Sequence, residues 1–174
     1  MRKSRTIITL MLSLILVMAM GTSVFAASSL TQKEAVAKAI RDSGVKQANV
    51  SRLDAELDEG KYEIGFRSKA SGTKFDYEIS KKSGKILEKS VDYAYKHNAS
   101  KSKVGKAEAR KAAAKKAGVK YSAVKDCKCT YEYDKKKKEG TYEVKFKNSS
   151  YRYEIEVLAP TGKVIELEKE YVKK

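Results

Sequence analysis

The chain has 174 residues, with 38 Lys and Arg against 22 Asp and Glu, one His, two Cys and no Trp. A formal charge of +16 points to polyanionic partners. A single His and two Cys leave little material for a metal centre or for a nucleophile held by a positioned base.

Residues 1–26 read as a signal peptide. Arg2, Lys3 and Arg5 form a basic head, an apolar run follows from Ile7 to Met20, and Val24-Phe25-Ala26 supplies a cleavage site after Ala26. The run is short for a membrane span, which needs about 20 residues. Cleavage leaves no membrane span, and retention would leave an N-terminal anchor. No Cys lies near the site to carry a lipid. Export moves the partner of a basic chain away from nucleic acid, towards wall polymers, anionic headgroups or acidic proteins.

The first unit is expected over residues 28–96. Thr31-Gln32-Lys33-Glu34 is a capping box, in which the hydroxyl accepts from the N3 amide and Glu34 reaches back. Ala35, Ala39 and Ile40 follow at helical spacing, and Gly44 ends the helix in a left-handed conformation. Four strands come next. Leu53, Ala55 and Leu57 share one face of the first and are expected to point into the core. Tyr62, Ile64 and Phe66 do so on the second, Phe75, Tyr77 and Ile79 on the third, and Leu87, Val91 and Tyr93 extend the fourth. Alternation of apolar and charged residues implies an antiparallel sheet with one wet face. Residues 97–103, which include the only histidine, His97, are polar and unpatterned and read as a linker.

Residues 104–174 repeat this order as a second unit. Gly44-Val45 recurs as Gly118-Val119, Gly60-Lys61-Tyr62-Glu63-Ile64 as Gly140-Thr141-Tyr142-Glu143-Val144, and Ser83-Gly84-Lys85-Ile86 as Thr161-Gly162-Lys163-Val164. Gly105 replaces the Thr cap, with Glu108 kept at N3, and the helix face is nearly all alanine (Ala109, Ala113, Ala114), which buries less area. The two halves differ in charge. Residues 27–97 carry 14 basic against 11 acidic side chains, and residues 98–174 carry 21 against 11.

An Ala-rich helix ending in Gly, a Tyr-Glu-Ile-x-Phe strand and a Tyr-Glu-Ile strand before a Gly-Lys-Ile turn together resemble the PepSY domain. The matching residues are Ala35, Gly44, Tyr62, Ile64, Phe66, Tyr77, Ile79, Gly84 and Ile86, then Ala109, Gly118, Tyr142, Val144, Phe146, Ile155, Val157, Gly162 and Val164. The resemblance implies a small α+β fold, a helix against an antiparallel sheet; the internal repeat makes this two tandem units, separately packed, each one helix on an antiparallel sheet of three to four strands. It also implies a non-catalytic role in regulating or inhibiting extracellular proteases, as in the propeptides of thermolysin-like metalloproteases.

Two constellations stand out. Cys127 and Cys129 lie two apart on a strand and share a face; their counterparts are Leu53 and Ala55, so core packing competes with a redox or metal role. Lys135, Lys136, Lys137 and Lys138 occupy a six-residue insertion in the first hairpin of the second unit, where they form either an anion-binding loop or a solubilising one. No catalytic residue, cofactor site or metal site is expected. The partner is an extracellular protein such as a protease, met through a sheet edge, with the lysine hairpin and the tail from Tyr171 near such edges. The alternative is an anionic wall polymer, with the chain as a basic structural or adhesive surface protein.

Overall fold

The computed structural model of the protein describes residues 29–95 and 103–172. The expected leader, His97, most of the linker and Lys173–Lys174 lie outside the described residues. The order of elements is α1 (Gln32–Ser43), a 3-10 turn (Gln47–Asn49), β1 (Val50–Asp58), β2 (Lys61–Ser68), β3 (Lys74–Ser80) and β4 (Ile86–Asp92). It continues with α2 (Lys106–Lys116), a second 3-10 turn (Tyr121–Ala123), β5 (Lys125–Asp134), β6 (Glu139–Lys147), β7 (Tyr151–Leu158) and β8 (Val164–Tyr171).

Local chemistry sets the helix ends. The Thr31 amide donates to Glu34 Oε2 at 2.8 Å and the Glu34 amide to Thr31 Oγ1 at 3.3 Å, which satisfies two amides that the first turn leaves unpaired. Gly44 closes α1 with φ 72°. In α2, with no hydroxyl at the cap, only the return bond remains, from the Gly105 amide to Glu108 Oε2 at 2.8 Å. Each helix is tied to the sheet by a tyrosine. Tyr62 Oη donates to the Leu30 carbonyl and Tyr142 Oη to the Val104 carbonyl, both at 2.8 Å.

All eight strands form one antiparallel sheet in the order β1-β2-β3-β4-β8-β7-β6-β5. The expectation of two separately packed units is therefore overturned. β4 pairs with β8 in the register Glu88–Glu170, Lys89–Lys169, Ser90–Glu168, Val91–Leu167 and Asp92–Glu166, and the Tyr93 amide adds a bond to the Ile165 carbonyl at 2.8 Å. The physical reason lies at the strand edges. Either half alone would leave β4 or β8 with a row of unpaired amides and carbonyls, and pairing the two satisfies both rows. The tail from Tyr171, expected near a sheet edge, thus leaves a central strand.

Both helices lie on one face, α1 over β1–β3 and α2 over β5–β8. Beneath them an apolar row crosses the sheet: Phe66, Phe75, Val91, Leu167, Ile155, Val144 and Cys129 occupy successive paired positions. All are buried. Phe66 stacks on Phe75 at 5.1 Å and Phe146 on Tyr153 at 4.9 Å. Leu53 and Leu57, expected in the core, are 45% and 49% exposed. They do lie on the helix side, since Leu57 pairs with Tyr62, but β1 is the outermost strand, with only α1 above it and no further strand beside it among the described residues. Tyr131 on β5 is exposed for the same reason.

Leu167 is the apolar rung that β8 contributes to the junction. Truncation to Ala is expected to cost about 2–4 kcal/mol, read as a lower urea midpoint with the whole sheet lost together. A cost below about 1 kcal/mol would mean that the junction adds little to stability.

Candidate functional site: a carboxylate face between two open edges

The face opposite the helices is built from the charged positions of the strand alternation, and the register aligns them into rows. One row runs Glu56, Glu63, Glu78, Glu88, Glu170 across β1, β2, β3, β4 and β8, and passes into Arg152 and Lys147 on β7 and β6. A second runs Asp92, Glu166, Glu156, Glu143 across β4, β8, β7 and β6. Between them Asp54, Gly65, Asp76, Ser90, Glu168 and Glu154 share a third. A chain of formal charge +16 therefore turns a largely acidic surface outward on one side.

Gly65 opens a hollow in this face. It has no side chain between Asp54 and Asp76, and the Asp76 carboxylate oxygen lies 3.2 Å from where a Cβ would sit. The resulting depression of about 290 Å³ is lined by Asp54, Glu56, Glu63, Asp76, Glu78 and Glu88. Lys61 bridges two of these, Glu63 at 3.4 Å and Glu78 in a closer pair. Partial burial, then the neighbouring Glu78, Glu168 and Glu170, push the Glu88 carboxyl up. Burial followed by like charges does the same at Glu166; at Glu156 Lys137 opposes the shift without cancelling it.

The helix side of the junction has the opposite sign. Lys89 and Lys169 are directly paired, and Asp42 of α1 lies against them, 2.7 Å from Lys89 Nζ, with the Tyr77 hydroxyl donating to it at 3.1 Å. Burial alone would raise the Asp42 carboxyl, but Lys89, Tyr77 and Lys169 together hold it below its usual range.

The sequence-derived candidates fall elsewhere. Lys135–Lys138 form the β5–β6 turn at the outer edge of the sheet, all exposed. Asp134 Oδ1 organises that turn by accepting from the amides of Lys136 at 2.8 Å and Lys137 at 3.0 Å. Cys129 is 7% exposed beside Val144, Cys127 is half-buried, and neither is in a disulfide. Burial pushes the Cys127 thiol up, with Arg110 opposing. The structure brings the cysteines and the lysine run together only as parts of the same edge strand and its turn.

The two edges, β1 and β5, have no outer strand partner among the described residues. Each carries a bulge at a residue with positive φ, Arg52 (52°) and Asp126 (50°), where the register shifts. A bulge twists an edge and shortens the stretch open to pairing. On β1 that leaves Asp54–Asp58, flanked on the helix side by exposed Leu53 and Leu57. There the Gln32 side-chain amide donates to the Ala55 carbonyl at 2.6 Å.

Residues 29–89 match the PepSY family, described as the peptidase propeptide and YPEB domain. No curated protein sequence matches the chain. Among solved structures, the chain is similar to a candidate lipoprotein of Clostridium difficile 630, at 15% identity over 79% of this chain and 91% of that one, with a TM-score of 0.31. It is similar to the Bacillus megaterium YpeB C-terminal domain, at 14% identity over 84% and 67%, with a TM-score of 0.29. A BLIP-like protein of Bacteroides fragilis gives 12% identity over 83% and 89%, with a TM-score of 0.30. These scores are too low to place the chain in any one of those folds.

The carboxylate face has a pH signature with a definite sign. A carboxyl whose pKa is raised in the folded state destabilises the fold while it is ionised. That cost fades as pH falls through the raised value and is gone below the unfolded value near 4.5. Glu88→Gln is therefore expected to stabilise the protein at neutral pH by on the order of 0.5 kcal/mol, the scale of a like-charge cross-strand pair. The gain should vanish at pH ~4 in paired thermal melts.

Proposed function

We propose that the protein is an exported, non-enzymatic binding protein that restrains a secreted peptidase by reversible surface occlusion. The observation that carries this reading is the match of residues 29–89 to a family described as a peptidase propeptide domain. The basic head and apolar run of residues 1–26 support export. No helix among the described residues is long and apolar enough to cross a membrane.

The matched half supplies a surface of the right kind. The outer edge of β1 offers backbone groups over Asp54–Asp58, and Leu53 and Leu57 stand beside it as apolar contacts. An extended peptidase segment can add to such an edge, with main-chain bonds giving affinity and the leucines giving register. Gln32 holds the Ala55 carbonyl until a partner strand replaces it.

Titration of residues 27–174 against the host's secreted metallopeptidases tests the reading. Residual activity should fall with a stoichiometric end point and return on dilution, with no cleaved or covalent adduct. Leu53→Asp with Leu57→Asp should weaken inhibition by roughly tenfold or more, the scale of losing apolar contacts at an interface centre. Digestion of the chain with undiminished peptidase activity across the whole set would overturn it.

A second reading is favoured by the exposed tip of Lys135–Lys138, namely retention on an anionic wall polymer. Charges this clustered still act where the Debye length is about 8 Å. Replacing all four by Gln should weaken retention on isolated cell walls and flatten its salt dependence. Unchanged retention would assign the turn to solubility alone.

A further inference from the structure

The two faces of the sheet layer carry opposite charge, and we infer that the carboxylate face docks the helix layer of a second copy of this chain. Three observations carry the inference, and none depends on the peptidase reading. The rows Glu56–Glu63–Glu78–Glu88–Glu170 and Asp92–Glu166–Glu156–Glu143 place like charges directly opposite one another across five and four strands. Such pairs are unfavourable in the isolated molecule, so a cationic surface laid over them gains twice, by attraction and by relief of repulsion. Lys61, Arg152 and Lys145 neutralise the rows only in part, Lys61 between Glu63 and Glu78, Arg152 against Glu170 at 2.8 Å, Lys145 between Glu143 and Glu154.

The complementary surface is on the same molecule. The outward side of α2 carries Lys111 and Lys115, and that of α1 carries Lys33, Lys38 and Arg41, all exposed, while Lys116 turns back over the Tyr93 ring. The helical acids are already engaged: Glu34 and Glu108 in their caps, Asp42 with Lys89. Lys111 and Lys115 are one helical turn apart, about 6 Å along the axis, close to the ~4.8 Å step between neighbouring strands. An α2 helix laid across the strands therefore sets successive ammonium groups over successive carboxylates of a row.

Geometry fixes the kind of assembly. The acidic and basic surfaces lie on opposite sides of one layer, so they cannot satisfy each other within a molecule or in a two-fold dimer that buries a single face. The contact is heterologous, head to tail, and it propagates as a stack. The net positive charge of each copy opposes stacking at long range, and salt weakens both that repulsion and the face-to-face attraction.

Sedimentation velocity on residues 27–174 provides the test. In moderate salt the weight-average sedimentation coefficient should rise with concentration. It should return to the monomer value at ionic strength ~1 M, where the Debye length is about 3 Å. Two variants separate the faces. Glu78→Gln, Glu88→Gln, Glu166→Gln and Glu170→Gln weaken the acidic surface; Lys38→Gln, Arg41→Gln, Lys111→Gln and Lys115→Gln weaken the basic one. Each alone should be monomeric with unchanged circular dichroism. Mixed, they should form a capped 1:1 dimer that grows no further, because each supplies the surface the other lacks. A wild-type chain that stays monomeric at every salt and concentration would overturn the inference. So would association that both variants retain, or a mixture that stays monomeric. Binding of poly-lysine to the carboxylate face without self-association would also overturn it, in favour of an external cationic partner.

Discussion

The pairing of β4 with β8 is the interaction on which the rest of the structure depends. It turns two four-stranded halves into one eight-stranded sheet, and it does so through an electrostatically mixed register. Val91–Leu167 is apolar, while Glu88–Glu170, Asp92–Glu166 and Lys89–Lys169 set like charges together. The junction holds because Val91–Leu167 belongs to a buried row running from Phe66 to Cys129, and because main-chain bonds close two strand edges that would otherwise be open. Asp42 offsets the lysine pair from above. Below, Arg152 pairs with Glu170 at 2.8 Å, and burial, followed by neighbouring like charges, pushes the Glu88 and Glu166 carboxyls up.

Continuity across the junction also creates the surface features. Without it, Glu88 and Glu170 would belong to different bodies, and the acidic rows would end at β4 and β8. With it, carboxylates from both halves merge into one face, and the basic residues of both helices collect on the other. The molecule's large positive charge is therefore not spread evenly. The free edges are pushed to β1 and β5, which carry the exposed leucines and tyrosines, the bulges and the lysine turn. The peptidase reading uses an edge, the wall-polymer reading the turn beside an edge, and self-docking the two faces, so all three follow from the same strand order.

Much of the local structure was legible in the sequence. Thr31 with Glu34, Gly44 and Gly118 mark helix ends through chemistry confined to a few residues, and the alternation at Tyr62-Glu63-Ile64 or Tyr153-Glu154-Ile155 identifies strands and their two sides. Lateral position was not legible. Leu53 and Leu57 follow the same alternation as Ile64 and Tyr77, and nothing in period two says that β1 is outermost and lightly covered. The junction was hidden for the same reason. Val91 and Leu167 look like ordinary core positions of separate units, because a strand's neighbour is set by register over the whole sheet. The lysine turn could be located from the insertion that contains it. The carboxylate face could not, although each Glu was visible as a wet position. Read strand by strand these are solvated charges, and only the register aligns them into rows.

The most direct measurement is of cross-strand nuclear Overhauser contacts in the isotopically labelled chain of residues 27–174, diluted until it is monomeric. Close backbone proton contacts are expected between β4 and β8 in the antiparallel register that places Val91 opposite Leu167 and Ser90 opposite Glu168. Two halves that tumble independently, with no contacts between these strands, would contradict it and would dissolve the continuous carboxylate face with it.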